Sequence, residues 1–439
     1  MGRASVRGRR RIATGRTRTP TDGRRPMAED HDEVVVMGGG IAGLSTVLAL
    51  RAAGIRARAY ERAPALRAAS AGNGLVVWHN AVLALRTIGL DKHLDGIGAE
   101  LLRYRFRSRR LGPLADWSIE DGARRHDAPA YTVSRPALHG MLSELVGDDL
   151  VLGARCAGFT EDPDGVSVRF EDGRSVRTPL LIGADGLRST VRRQLMPYEP
   201  PPRYAGMTAC QGVVEMSGDQ VPPGVFVNTF GEGTWFVHYR LDDTSVYWDA
   251  VISDRVGRRL GLGAGALGLG VHEALLREFG GWPDPVPALI RATPAAAVLP
   301  VDIFDRDPVE RWSTRRVTLV GDAAHPMTFN LGQGANQAIE GAVVLAQCLS
   351  GAEGHRRDGI RDVDADALAG ALASYENRRT DRARRVARRS RVNGVLSRWQ
   401  NPAVCLLRDA FMRVAFDSVV YRKTYGLTMA TDVVTGARN

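Results

Sequence analysis

The chain is poor in cysteine: 439 residues contain four, Cys156, Cys210, Cys348 and Cys405, and they are scattered without metal-ligand spacing. That argues against a disulfide framework and against a cysteine metal site, and for reduced thiols in a cytoplasmic protein, where a small core residue is the ordinary role. Long apolar runs are also missing. The best candidate for a membrane span, Leu260 to Val271, is short and glycine-rich, too short to cross a bilayer. Acidic residues are scarce at the start, where residues 1–26 hold nine arginines against Asp22 alone. That segment carries +8 of the total +10, so residues 27–439 carry only +2, and a nucleic-acid-binding body is not indicated. The tail has neither the apolar core of a secretory signal nor hydrophobic periodicity. We expect it to be disordered and to precede a natural start at Met27, a targeting or nucleic-acid arm being the alternative.

What remains is ordinary globular composition, 44% hydrophobic and 25% charged, with length for two or three domains. Its most informative stretch near the start is Asp32 to Glu61. Val34 to Met37 predicts a strand, and Gly38, Gly40 and Gly43 satisfy a G-x-G-x-x-G turn, with Ile41 and Ala42 inside it. In such a turn the first glycine allows the bend, the second lets a pyrophosphate reach the backbone, and the third lets the helix close on the sheet. A second strand, Arg56 to Tyr60, ends at Glu61, followed by Arg62. An acid there bonds a ribose diol and disfavours a ribose phosphate, so this site takes FAD or NAD rather than NADP.

Further along, Ser134 and Pro136 start a helix that carries Arg135 at its positive end, where it either reaches a phosphate or stands as a solvated arginine. Leu180 to Arg192 is an apolar strand ending at Asp185, and Val317 to Val320 repeats the pattern with Asp322. Two carboxylates at the ends of parallel strands belong to one crevice. After Asp322 a loop reaches Gly332, and Gly334, Ala335 and Asn336 open a helix whose free N–H groups suit an electron-rich ligand edge. Between these segments, Gly206 to Ser253 alternates aromatic and β-branched residues and predicts an antiparallel sheet. Gln211, Phe226, Trp235, His238 and Trp248 from it, together with Phe329 from the loop, are the candidate walls of a substrate cavity. From Asp366 the chain reads as helical. The arginines between Tyr375 and Val392 are expected to form a solvated face, with Ala383, Val386, Ala387 and Ser390 packing inward. A last helix after Pro402, with Leu406, Leu407, Phe411 and Val414 at helical spacing, is expected to cover the core.

Three motifs together, Gly38 to Gly43 with Glu61, Gly183 to Arg192, and Gly321 to Asn336, resemble those of the group A FAD-dependent monooxygenases, the para-hydroxybenzoate hydroxylase-fold aromatic hydroxylases. The resemblance implies an α/β fold: a Rossmann-like FAD domain, a substrate domain with a mixed or antiparallel sheet, and C-terminal helices. The divisions expected after a tail of 1–30 are FAD domain at 31–105, 131–204 and 306–365, a substrate-domain excursion at 106–130, the substrate sheet at 205–305 and helices at 366–439. The same resemblance implies that Glu61 holds the adenosine ribose, Gly40 and Arg135 the pyrophosphate, Asp322 the ribityl chain, and Gly332 to Asn336 the flavin pyrimidine edge. By the same resemblance, Asp185 supports the fold and the region between flavin and nicotinamide.

NADH or NADPH would visit transiently, since no second glycine fingerprint occurs. Oxygen would be delivered through a flavin C4a-hydroperoxide to an aromatic or polyene small molecule in specialised metabolism, by a monomer or homodimer without metal. No catalytic side chain is assigned. The W-x-W-x-I-P signature of related halogenases does not occur. The sequence departs from the family pattern at Phe329, where proline is usual, at Gly341, where an acid is usual, and at Gln211, where arginine is common. Phe329 and Gly341 are both expected near the reactive side of the flavin. Their presence keeps open an oxidase or dehydrogenase, or a flavin-binding partner without catalysis.

Overall fold

The computed structural model of the chain describes residues 29–30, 32–66, 74–261, 270–351, 364–415, 428–429 and 434. The expectations for the basic tail lie outside the described residues. Five parallel strands form the centre, ordered Val317–Leu319, Leu181–Gly183, Val34–Met37, Ala57–Tyr60 and Leu150–Val151. Val34 to Val36, Leu181, Ile182, Val317 and Leu319 are all buried. Such runs are apolar throughout because helices cover both faces of a parallel sheet. Register sets four strand ends side by side, Leu319 against Gly183, Gly183 against Met37, and Met37 against Tyr60. Whatever follows these residues shares one edge.

A seven-stranded sheet stands beside this core, in the order Leu299–Asp305, Arg203–Glu215, Ser245–Ser253, Thr234–Arg240, Val225–Phe230, Arg103–Ser108 and Gly112–Ser118. Its pairings are antiparallel except for Val225–Phe230 with Arg103–Ser108, which run parallel, so the sheet is mixed. Every residue of Thr234–Arg240 is buried, which means that both faces of the sheet are packed. Helices Gly270–Phe279 and Val286–Ala292 cover one face through Phe279, Leu289 and Ile290. A meander of Cys156–Asp162, Gly165–Phe170 and Ser175–Thr178 flanks the parallel sheet.

The C-terminal region differs from expectation in two ways. In the long helix Ala365–Ser397 the small stripe Ala383, Val386, Ala387 and Ser390 is buried. Arg379 and Arg382, however, are also buried and ion-paired to Glu340 of helix Gly334–Ser350, rather than lying on a solvated face. A buried carboxylate one helix away is what admits them, since an unpaired guanidinium would not leave water. In helix Pro402–Ala415, Leu407 is 70% and Val414 86% exposed, with Leu406 and Phe411 also exposed. The inward side is instead the polar pair Arg408 and Asp409, held by Gly231 and Ser108, so this apolar face does not cover the core.

Candidate active site

The three glycines of the first turn have different reasons to be glycine. Gly38 has φ +111°, and a Cβ there would stand 2.4 Å from the Ala184 carbonyl oxygen. At Gly43 a Cβ would fall 1.8 Å from the Gly38 oxygen. Protein backbone therefore forbids side chains at both. Around Gly40, by contrast, nothing lies within 4 Å of the Cβ position, and its φ of −79° suits any residue. The protein supplies no reason for glycine at Gly40, and a pyrophosphate lying against the backbone at a helix start supplies one.

Glu61 at the next strand end accepts hydrogen bonds from the Gly39 and Ala63 N–H groups at 2.8 and 2.9 Å. One bond to each oxygen fixes the carboxylate over the turn and leaves lone pairs for two hydroxyls. His139, which no sequence signal singled out, braces the turn with Nε2 2.7 Å from the Gly39 oxygen. Ile41 is buried in the helix, Ala42 packs under Gly321, and Arg62 is exposed beside Glu61.

Asp185 and Asp322 lie at the same sheet edge but do different work. Asp185 receives the Ser189 hydroxyl and the Thr190 N–H, the latter at 2.6 Å, and so caps helix Thr190–Leu195. From that helix the buried Arg192 donates to the carbonyls of Ala323 and Ala324 at 2.9 and 2.7 Å, tying the two acidic motifs together. Asp322 makes no such bond. Solvent reaches its side chain through the crevice, while protein crowding on its other sides raises the carboxyl above its usual range and the nearby Arg135 opposes that rise. Arg135 itself is exposed at the first position of helix Arg135–Val146, with no hydrogen-bond or ion-pair partner among the described residues. A free cation and a free carboxylate thus flank the glycine turn.

Gly332 has φ +60°, and Gly334 has nothing within 4 Å of its Cβ position. The space beside this helix start is therefore open. The Asn336 side chain is engaged within the protein: Oδ1 accepts from the Trp78 N–H at 2.8 Å, and Nδ2 donates to the Val76 and Gly332 carbonyls at 2.9 and 2.8 Å. The amide thereby staples strand Gly74–Val77 to the loop. The surroundings of Gly341 differ from those expected. Its Cβ position looks toward Tyr375, Val320 and Arg379, on the side of the long helix and not of the crevice. Glu340 beside it is committed to Arg379 and Arg382, each at 2.6 Å.

Strand alternation sorts the candidate cavity walls. Trp235, Tyr239, Tyr247, Val251 and Phe230 share one face of the seven-stranded sheet, and Phe329 and Phe226 pack against it. Phe329 stacks on Trp235 with ring centres 6.4 Å apart. Gln211 pairs with Asp249 on the same face. His238 and Trp248 point the other way, among Phe236, Phe279 and the covering helices, and are not part of this wall. The two faces could not be separated from sequence because both are buried. Asp249, unmarked by any motif, sits on the inner face almost wholly buried. Desolvation raises its carboxyl to about 8, against a hydrogen bond from Tyr247 that lowers it. Separately, a cavity of about 800 Å³ lined by Arg109, Arg259, Arg277 and Gln400 includes none of the motif residues.

Open space at Gly40 and Gly334, an unpartnered Arg135 and the Glu61 and Asp322 carboxylates together fit a dinucleotide with a polyol chain and an electron-rich ring. Comparison with known proteins agrees. A family described as an FAD binding domain matches residues 31–215 and 305–390. Aurachin C monooxygenase/isomerase of Stigmatella aurantiaca is 38% identical over 392 residues, 89% of this chain and 96% of its own. A 3-amino-4-hydroxybenzoate 2-monooxygenase of Streptomyces cremeus is 33% identical over 93% of this chain and 99% of its own. The crystal structure of Klebsiella pneumoniae HpxO with FAD and uric acid superimposes with a TM-score of 0.78 at 28% identity, covering 90% of this chain and 95% of that one. The chain belongs to the group A FAD-dependent aromatic monooxygenases. Its cofactor is FAD.

Proposed function

We propose that the protein uses NADH or NADPH and molecular oxygen to hydroxylate or epoxidise a flat aromatic or polyene small molecule in specialised metabolism. One observation carries this reading: the open helix start at Gly334 and the aromatic inner face of the seven-stranded sheet meet across a single loop, where Phe329 stacks on Trp235. When bound and reduced, FAD supplies the activation of oxygen and its transfer. The chain's own tasks are to hold, orient and keep dry. Glu61 and Arg135 anchor the adenosine end, Asp322 fixes the ribityl hydroxyls, and the N–H groups at Gly334 and Ala335 stabilise negative charge at the ring's pyrimidine edge. Tyr104, Phe226, Trp235 and Phe329 exclude water, which would otherwise divert oxygen to peroxide.

Among the described residues no helix is long and apolar enough to cross a membrane, and four free cysteines suit a reducing cytoplasm, where we expect a monomer or homodimer. The test is direct: purified FAD-loaded protein oxidises NADH or NADPH slowly alone and faster with substrate, consuming one oxygen molecule per product. Turnover that continues without oxygen on another acceptor overturns the reading.

A further inference from the structure

Three amide or carboxyl oxygens on the inner face of the substrate sheet are buried without a hydrogen-bond partner: Asp249 Oδ1, Gln211 Oε1 and Asn228 Oδ1. Register brings them together, since Gln211 lies opposite Asp249 and both Asp249 and Asn228 lie opposite Val237. A buried oxygen left unpaired is costly, so three on one patch call for a ligand that satisfies them. Gln211, Asn228, Phe226 and Phe329 are only half-buried, and the patch is open at that point, with Asp249 behind them at 3% exposure. Stacked rings border it: Tyr104 lies 4.3 Å from Phe226, and Phe226 5.1 Å from Tyr239. No arginine, lysine or histidine stands at the inward positions 207, 209, 211 and 213, at 235, 237 and 239, or at 247, 249 and 251.

Above about pH 8, where Asp249 is ionised, acceptors with no cation on the same sheet face repel a carboxylate. They recognise a neutral ring that offers hydrogens. Resting on the monooxygenase reading above, we propose that Asp249, with Gln211 beside it, receives a neutral flat heteroaromatic substrate by its ring N–H or phenolic O–H, and accepts that proton as the ring is oxygenated. The proton moves from the ring nitrogen or oxygen to Asp249 Oδ1, and the bonding pair stays on the ring. That pair raises electron density at the carbon ortho or para to the donor, which is where an electrophilic oxygen attacks. Asp249 touches substrate and is a catalytic residue in this scheme; Tyr247, which donates to it, is a positioning residue. The titratable groups facing Asp249 are Tyr239 and Tyr247, both raised well above the usual phenol range by burial, with Arg135 near Tyr247. Only Asp249 among them titrates near neutrality, at about 8.

The test uses FAD-loaded full-length protein and matched probes: 4-quinolone against 1-methyl-4-quinolone, 2-naphthol against 2-methoxynaphthalene, and 4-hydroxybenzoate. Binding is read at about pH 9, where Asp249 is ionised, by perturbation of the flavin spectrum and by calorimetry. At least one donor probe should bind tenfold or more tighter than its methylated partner, and 4-hydroxybenzoate should bind worst. Asp249→Asn should erase the donor preference while retaining FAD, and Gln211→Leu should weaken it severalfold. For any turned-over probe, kcat/KM should rise with pH along a limb near 8 that Asp249→Asn removes. Equal binding of methylated probes, best binding of the benzoate, no binding by the panel, or a pH limb unchanged in Asp249→Asn each overturns the proposal. Oxygenation with an indifferent Asp249→Asn sinks the proposal and spares the monooxygenase reading. Asp249-dependent donor binding without any oxygenation sinks the monooxygenase reading and the proton transfer, and leaves only the recognition of donor-bearing neutral rings by Asp249.

Discussion

Arg379 Nη1 stands 2.6 Å from Glu340 Oε2, and neither side chain reaches solvent. Arg382 closes on the other oxygen at 2.6 Å, and Asn80 Nδ2 donates to it at 2.5 Å. The cluster joins three elements, helix His79–Thr87, helix Gly334–Ser350 and the long helix Ala365–Ser397, so the loop that opens at Gly332 is anchored from behind. Glu340→Gln leaves two buried guanidinium groups without a counter-ion, and we expect a loss of about 3–5 kcal/mol in denaturant unfolding.

The same cluster sets an acid limit. Burial alone would raise the Glu340 carboxyl, but Arg382 and then Arg379 more than reverse this and hold it at about 2, below its ordinary 4.5. A carboxyl depressed in the folded state contributes its full stability above the unfolded value and loses it as pH falls through the folded one. Stability of the native protein should therefore drop between about pH 4.5 and pH 2, and that drop should be smaller in Glu340→Gln when unfolding is followed across the window.

The glycine turn separates cofactor from scaffold. Gly40→Ala meets no protein atom within 4 Å and should fold with an unchanged melting temperature while losing FAD affinity tenfold or more by flavin fluorescence titration. Gly43→Ala drives a Cβ onto the Gly38 carbonyl and should fail to accumulate as folded protein. Full FAD retention in Gly40→Ala would remove the pyrophosphate from this position.

Gly341 stands where an acid is usual, and its surroundings are those of helix packing. A Cβ there meets its nearest neighbour, Tyr375 Oη, at 3.5 Å, ordinary contact. Gly341→Ala should stabilise the helix by about 1 kcal/mol, raising the melting temperature by a few degrees without changing the ratio of product formed to NAD(P)H consumed.

Phe329 should move that ratio. Its ring packs on Trp235, while Thr328 is held to Ser390 through hydroxyl bonds, so the loop is fixed without the usual proline. Phe329→Ala keeps the loop but opens the wall to water. Peroxide release per NAD(P)H should rise severalfold in a peroxidase-coupled assay, with FAD affinity within a factor of two.

The cofactor half of the site was legible because its physics is local. A strand, three glycines and a terminal acid fall within thirty residues, and each residue type has a backbone reason. The substrate half was not. Thr234–Arg240 and Ser245–Ser253 are buried on both faces, so alternation could not tell the side of Asp249 and Tyr247 from that of His238 and Trp248. Arg379 and Arg382 read as solvated because their partner lies about forty residues back, on another helix. The spacing of Leu407 and Phe411 correctly marks one helix face, yet nothing in a periodicity says what, if anything, lies against it.

The most direct measurement supplies FAD-loaded protein, NADH or NADPH and labelled molecular oxygen to a turned-over heteroaromatic and weighs the product. The account predicts one labelled oxygen atom per product molecule and the other in water. Product carrying oxygen from water instead, or formed equally well without oxygen, would contradict it.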